Sequence, residues 1–329
     1  MKALLYVVGL SILAFLLWSV PISELIDTLK SMDRTLLFFA SLLQIFTVAL
    51  IALQWYIFAK KIGGKVTYLD MVHMNLAGTF VESITPAMKA GGEGAKIWLL
   101  CSKMRFSLSQ AVALLTLQKA ISIVPFLLIS AIGLSWLMLN HRVEGLQGQI
   151  FLGSFLFLLA TTGLILLFLL IPKQMMALLE RIPLSKGRKE KALAGIDAFR
   201  QAIAETKGDQ AIWMGQGALS IFIWLLYPVK AYIVVLAFDV PISLALIGVI
   251  TYLAYMVAML PLSPGGIGTF EGAMVLLLSS FNIPLQESLA LAVAIRFVTF
   301  WLVFLISAIY LASHKVWNLL QNLRKPIVS

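Results

Sequence analysis

The 329-residue chain is 61% hydrophobic and only 12% charged, with a mean hydropathy of +0.98, where soluble domains run nearer half and a quarter. That composition excludes an ordinary soluble enzyme, and it removes nucleic acid as the reason for the net charge of +10: most Lys and Arg stand at the ends of apolar runs, as the positive-inside rule requires of a polytopic membrane protein. The single cysteine, Cys101, excludes an intrachain disulfide and any CxxC centre and reads as a small apolar filler.

Apolar runs at about 3–20, 36–59, 108–139, 149–171, 211–238 and 285–311 predict six crossing helices. The first, after Lys2, lacks an A-x-A-like cleavage site before Pro21 and is expected to be a retained span rather than a signal peptide. Two further apolar segments, about 67–100 and 241–281, are interrupted. Pro86, Gly91 and Gly92 break the one, and Pro261, Pro264, Gly265, Gly266 and Gly268 the other. Proline and glycine open the helical ladder, and in lipid the freed backbone groups must find partners inside protein or beside a wet cavity.

Charge fixes the topology. Lys60, Lys61 and Lys65 place the loop after the second span in the cytoplasm, and the basic connector 172–210 belongs there too. The linker near His141, Arg142 and Glu144 is then outside. The first broken segment consequently enters from and returns to the cytoplasm, and the second enters from and returns to the outside, each as a re-entrant or helical hairpin. Both termini are cytoplasmic. The connector has two readings: a solvated link, or an amphipathic helix (Met176, Leu179, Ile196, Phe199 and Ile203 among Arg181, Lys186, Arg188, Lys189 and Lys191) lying on anionic headgroups.

The halves, about 1–140 and 149–315, align. "EGAKIWLL" from Glu93 matches "EGAMVLLL" from Glu271, each after a Gly pair, and "LLISAI" from Leu127 meets "FLISAI" from Phe304. Lys119 falls opposite Arg296. No polar stretch is long enough for a second folded unit, so residues 1–329 read as one integral membrane domain. The expected fold is an all-α polytopic membrane protein, with six crossing helices plus two hairpins in an inverted-topology repeat, an architecture that sets its binding site near the midplane between the repeats.

Charged residues inside the apolar region are few: Glu82, Lys89, Glu93, Lys96, Lys119, Lys230, Glu271, Glu287 and Arg296. Each costs about 2.5–3.5 kcal/mol at a helix centre on insertion scales, so each faces the bundle interior or snorkels to an interface. Lys119 and Arg296 lie too deep for easy snorkelling. Each has an acceptor candidate in the opened backbone or in Glu93 and Glu271, themselves read as a facing pair; the cations either hold a phosphate headgroup, with the acids ordering them or pairing with a positively charged headgroup, or form ion pairs locking the hairpins in place. Lys89 and Lys96 flank the first Gly pair, where a restarting helix aims free N–H groups at an anion; they equally suit cytoplasmic-end anchoring. Lys230 follows Pro228 and either serves the site or satisfies a released carbonyl. The candidate substrate-binding set is Lys89, Glu93, Lys96, Lys119, Lys230, Glu271 and Arg296.

His73 and Asn75 read as polar packing, Glu82 and Glu287 as hairpin-end or interface residues, and Trp18, Trp55, Trp98 and Trp317 as interfacial anchors. Gly265–Gly268 is no dinucleotide fingerprint, since no strand precedes it. No P-loop, HExxH, GxSxG or paired-aspartate pattern occurs, and the sequence calls for neither a metal nor a cofactor.

"TPAMKAGGEGAKIWLL" resembles the P-x-R-x-G-E-x-x-R-type segment, and "PLSPGGIGTFEGAM" the P-G-G-x-G-x-x-E segment, of the lysylphosphatidylglycerol synthetase transmembrane-region family, over about residues 3–315. Lys89 and Lys96 stand where that family usually has Arg. The resemblance implies a flippase-like protein of a bacterial or archaeal cytoplasmic membrane, with Glu93 and Glu271 at the positions of the motif acids. It implies no catalysis by this chain, because the soluble aminoacyl-transferase domain of fused relatives is not expected here. The expected function is translocating or binding a phospholipid or polyprenyl-phosphate-linked headgroup. Its rivals are a membrane enzyme that modifies such a headgroup and an accessory scaffold for a separate synthase. The partner classes are membrane lipids, a second copy of the chain and a separately encoded lipid-modifying enzyme, with no nucleic acid.

Overall fold

A backbone surrounded by apolar side chains has no partner but itself, and helices result. The computed structural model describes residues 22–85, 90–140, 145–170 and 186–323, with Ser11, Ala14 and Phe15. The rest of the expected first span, Pro86, Lys89, the linker 141–144 and the connector up to residue 185 lie outside the described residues. No strand occurs among those described.

In chain order the helices are α1 (Ile22–Ser31), α2 (Arg34–Lys61), α3 (Tyr68–Ile84), α4 (Ala90–Lys103), α5 (Leu108–Asn140) and α6 (Gly145–Leu170). They continue with α7 (Lys186–Lys207), α8 (Gln210–Ala237), α9 (Leu244–Ala258), α10 (Thr269–Ser280), α11 (Leu285–Arg296) and α12 (Leu302–Leu323). A 3₁₀ turn, Pro264–Gly266, stands between α9 and α10, and a π-helical turn, Phe297–Trp301, joins α11 to α12. Among the described residues four helices are long and apolar enough to cross a membrane: α2, α5, α8 and the α11–α12 stretch Leu285–Ser313. The apolar part of α6, Gly148–Leu164, is shorter.

Local chemistry sets the helix ends. Asp33 caps α2, accepting from Thr35 N–H at 2.7 Å, and Lys60 and Lys61 close its other end, where cations suit the helix dipole. Thr67 and Asp70 form a reciprocal capping box at the start of α3. The two broken segments are helical hairpins, α3–α4 and α9–α10, each packed on itself.

The most extensive packing joins α2 to α8. Asp33 N–H donates to Ala237 O at one end of this pair, and Lys61 bridges Asp209 at 2.9 Å at the other. Around them α2 packs on α3 and α8 on α9; α4 on α5 and α10 on α11; α12 on α3 and α5 on α9; α1 on α11 and α7 on α5. The connector's helix α7 is therefore packed rather than a free solvated link: Phe199, Ala202 and Ile203 are buried in the core that α2–α5 share. Trp213 Nε1 donates to Thr206 O at 2.9 Å and holds the α7–α8 corner.

Candidate functional site

Glu93 sits in the first turn of α4, beneath the hairpin break. Lys119 Nζ on α5 lies 2.7 Å from Glu93 Oε1, and Lys96 Nζ, one turn further along α4, lies 3.7 Å from the same oxygen. The stem of Lys96 runs against Gly78 of α3, where a Cβ would come within 2.4 Å of Lys96 Cε. Its ammonium stands 5.2 Å over the Trp55 ring. Trp55 is 1% exposed and so is a wall of this site, not the interfacial anchor expected from its place near a span end. A Cβ on Gly92 would lie 2.6 Å from Gly78 O and 2.7 Å from Glu82 Cβ. Here the Gly pair buys close approach of two helices.

The second Gly pair does something else. Gly265 and Gly266 have φ of +58° and +72°, and Gly268, the cap of α10, +79°. These values form a turn that residues with a Cβ resist. Gly268 N–H donates to Glu271 Oε2 at 2.8 Å, so the acid caps its own helix. Its other oxygen lies 3.6 Å from Arg296 Nε at the end of α11. Arg296 Nη2 donates to Gly265 O, and the guanidinium lies 4.2 Å over the Phe300 ring. The π-turn begins at the next residue, in keeping with the frequency of such turns at functional sites.

Both acids thus pair with a cation from the helix that follows their hairpin. No hydrogen bond or ion pair joins Glu93 to Glu271 among the described residues. Exposure sets Lys119 apart: its side chain is 31% exposed, those of Glu93 and Lys96 14% and 8%, and those of Arg296 and Glu271 4% each. The first site carries two ammoniums and one carboxylate; in the second the charges cancel. The hairpins also meet, because α3 packs on the Pro264–Gly266 turn. Glu82 of α3 acts electrostatically on both Glu93 and Arg296. It stands in the last turn of α3, at the hairpin end expected from the sequence.

Lys230 belongs to neither site. It is fully buried between α8 and α2, donating to Gln44 Oε1 and, at 3.1 Å, to Thr47 Oγ1, with its ammonium 3.9 Å over the Tyr227 ring. Gln44 Nε2 reaches Thr299 O in the π-turn at 3.4 Å. Nor does Lys230 take the carbonyl that Pro228 releases. That is Trp224 O, four residues earlier, and the Tyr252 hydroxyl donates to it at 2.8 Å. Gln44 and Thr47 went unnoticed as uncharged residues, although two polar groups three apart in an apolar span share a helix face.

Of the other sequence candidates, Asn75 is buried, His73 packs on the Tyr310 ring with centroids 5.7 Å apart, and Trp98 is exposed. The described residues hold no cluster of three His, Cys, Asp or Glu able to take a metal.

Residues 3–307 match the family model described as Lysylphosphatidylglycerol synthase TM region. A UPF0104 membrane protein of Methanothermobacter thermautotrophicus is 22% identical over 310 residues, covering 92% of each chain. Another, of Pyrococcus horikoshii, is 21% identical over 339 residues, covering 95% of this chain and 97% of the relative. A third, of Methanocaldococcus jannaschii, is 22% identical over 309 residues and covers 90% of both. The chain belongs to the lysylphosphatidylglycerol synthase transmembrane-region family.

Proposed function

We propose that this family member is a flippase-type lipid transporter: the headgroup of an anionic phospholipid or polyprenyl-phosphate lipid enters between the two hairpins while its acyl chains stay in the bilayer. The observation that carries this is the repeated acid–cation pair, Glu93 with Lys119 and Glu271 with Arg296, set at helix breaks inside an apolar bundle and unequal in exposure. Charges held there at a cost of several kcal/mol mark a substrate path. The family's description, naming a lipid synthase's transmembrane part, favours a lipid as the substrate.

Duplication in inverted orientation makes sense of the packing. If α1, α2, α3, α4 and α5 exchange with α7, α8, α9, α10 and α11–α12, the neighbours α2–α3 become α8–α9, α4–α5 become α10–α11, α5–α9 become α12–α3, and α7–α5 become α1–α11. The α2–α8 contact maps onto itself. On this reading six spans cross a cytoplasmic membrane with both chain ends inside, and rocking of the halves exposes the two sites in turn.

A phosphate suits the first site. Charge-assisted hydrogen bonds from Lys119 and Lys96 would replace their hold on Glu93, with Glu82 nearby as an opposing charge that the two ammoniums must outweigh. At the second site Arg296 offers a planar fork for the same group, with Glu271 released toward any ammonium on the headgroup. The chain itself makes and breaks no covalent bond in this account.

Reconstituted protein is expected to speed the movement of a leaflet-labelled anionic phospholipid, and Glu271→Gln and Arg296→Ala to slow it. Unchanged movement in both variants contradicts the site. Loss of a lipid species on deletion, rather than a change of its leaflet, favours an enzyme. Co-purification with a lipid-modifying enzyme, without transport by the isolated chain, favours a scaffold.

A further inference from the structure

Resting on the exchange of halves proposed above, we infer that a monovalent cation, sodium or potassium, binds where α2, α5 and α8 pack together, at the counterpart of the place taken by the Lys230 ammonium. The register of the exchange is set at both ends of the α2–α8 pair. Each helix has 28 residues and an aspartate cap, Asp33 for α2 and Asp209 for α8. Asp33 meets Ala237, the last residue of α8, and Asp209 meets Lys61, the last residue of α2. Superposing the helices cap on cap therefore interchanges these two end contacts. The same superposition carries Lys230 to Gln54 and Gln44 to Ser220.

The two counterparts differ in how they are satisfied. Lys230 crosses to α2, and its ammonium is held by the uncharged oxygens of Gln44 and Thr47. Gln54 crosses to α8 with a side chain one atom shorter and no charge. Its amide nitrogen reaches Gln216 O only at 3.5 Å, and its oxygen accepts from Gln118 Nε2 of α5 at 3.2 Å. Ser220 Oγ, the counterpart of the amide oxygen that holds Lys230, has no hydrogen-bond partner among the described residues. Neither has Gln216 Oε1 or Nε2, one turn back on the same face of α8. Gln54, Gln216 and Ser220 are each 1% exposed, so bulk solvent does not serve them.

Buried amides and hydroxyls are nearly always paired, and three such atoms together point to a ligand. Amide and hydroxyl oxygens without a carboxylate suit a monovalent ion, which neutral oxygen dipoles coordinate, and not a divalent one, whose affinity rises with the charge of its ligands. Such an ion sets one positive charge between α2 and α8, as Lys230 does at its own place. A water carried on the ion accepts from Gln216 Nε2, which a bare cation leaves unpaired. Because α2 and α8 belong to opposite halves, an ion held by both binds one arrangement of the halves better than another and biases their rocking. Secondary transporters draw on an ion gradient through sites of this kind, at the repeat interface.

The test is binding of the ion alone to the full chain in detergent. Sodium chloride, and separately potassium chloride, is titrated against N-methyl-D-glucamine chloride at constant ionic strength while the melting temperature is followed. The temperature is expected to rise and level off with at least one of the two ions. Ser220→Ala should move the midpoint of that rise to at least tenfold higher concentration. Gln216→Met combined with Ser220→Ala should remove the response and leave the ion-free melt unchanged or higher, since the side-chain atoms lost have no partner. Gln54→Lys, which supplies an ammonium as Lys230 does, should fold, melt like the ion-loaded native protein and ignore both ions. Equal melts in all three salts overturn the site and leave bound water as its occupant. A response that survives the double substitution, or a Gln54→Lys protein that still responds or does not fold, also overturns it. No lipid enters the readout, so failure of the chain to move lipid would sink the proposed function and leave the ion response standing.

Discussion

Lys119 Nζ lies 2.7 Å from Glu93 Oε1 on the more exposed side of the bundle, and its counterpart pair, Arg296 and Glu271, is closed from solvent at 3.6 Å. The same chemistry is held in two environments. Removing one partner therefore leaves different groups behind at each.

Glu271→Gln keeps an oxygen to accept Gly268 N–H but leaves a buried guanidinium uncompensated, a change that costs about 3–5 kcal/mol. Glu93→Gln leaves Lys119 partly hydrated but also strands the buried ammonium of Lys96, so the loss should be of similar size. Thermal melts of both variants in one detergent check this. A much smaller loss for Glu93→Gln would mean that Lys96 does not depend on that carboxylate.

Lys119→Gln should weaken binding of phosphatidylglycerol by about tenfold or more, because hydrogen bonds to charged groups contribute about 1.5–3 kcal/mol. Lys119→Arg keeps the charge and should bind close to the native protein. Titration of nanodisc-embedded protein with short-chain phosphatidylglycerol measures both.

Lys230→Met is expected to leave that affinity unchanged but to cost about 1–3 kcal/mol of stability, because the buried Gln44 Oε1 loses its donor. Gln44→Leu leaves the buried ammonium without that acceptor, and its melting temperature should fall further. Loss of lipid affinity in Lys230→Met would place Lys230 in the headgroup site.

Tyr252→Phe orphans Trp224 O and should cost about 1–3 kcal/mol with no loss of lipid affinity. Unfolding measured beside the binding titration separates the two effects.

Gly92→Ala forces a methyl against Gly78 O and Glu82 and should destabilise the first hairpin by about 1–3 kcal/mol. Gly94→Ala, two residues on and facing open space, should be tolerated or stabilising. Comparable melts for the two would show that α3 and α4 do not need this close contact.

The hairpins and the five charged residues of the sites are legible because a charge or a Gly–Pro break stands out against apolar sequence. Lys119 and Arg296 fall opposite each other in the sequence alignment of the halves. Glu93, Glu271 and the opened backbone stand out as acceptor candidates for these cations, and the contacts found are of that kind. Nothing in spacing shows which acid takes which cation, or that Tyr252 and not Lys230 answers Pro228. Trp55 was misplaced for the same reason, since position along a span does not say which face a ring presents. The aligned Gly pairs matched as letters, yet one serves close packing and the other a positive-φ turn.

The most direct test is a density map of the protein in nanodiscs containing phosphatidylglycerol. The account predicts a phosphate within hydrogen-bonding distance of Lys119 or Arg296, between the two hairpins. A map in which both cations keep their carboxylates, and ordered lipid is found only around the outside of the bundle, would contradict it.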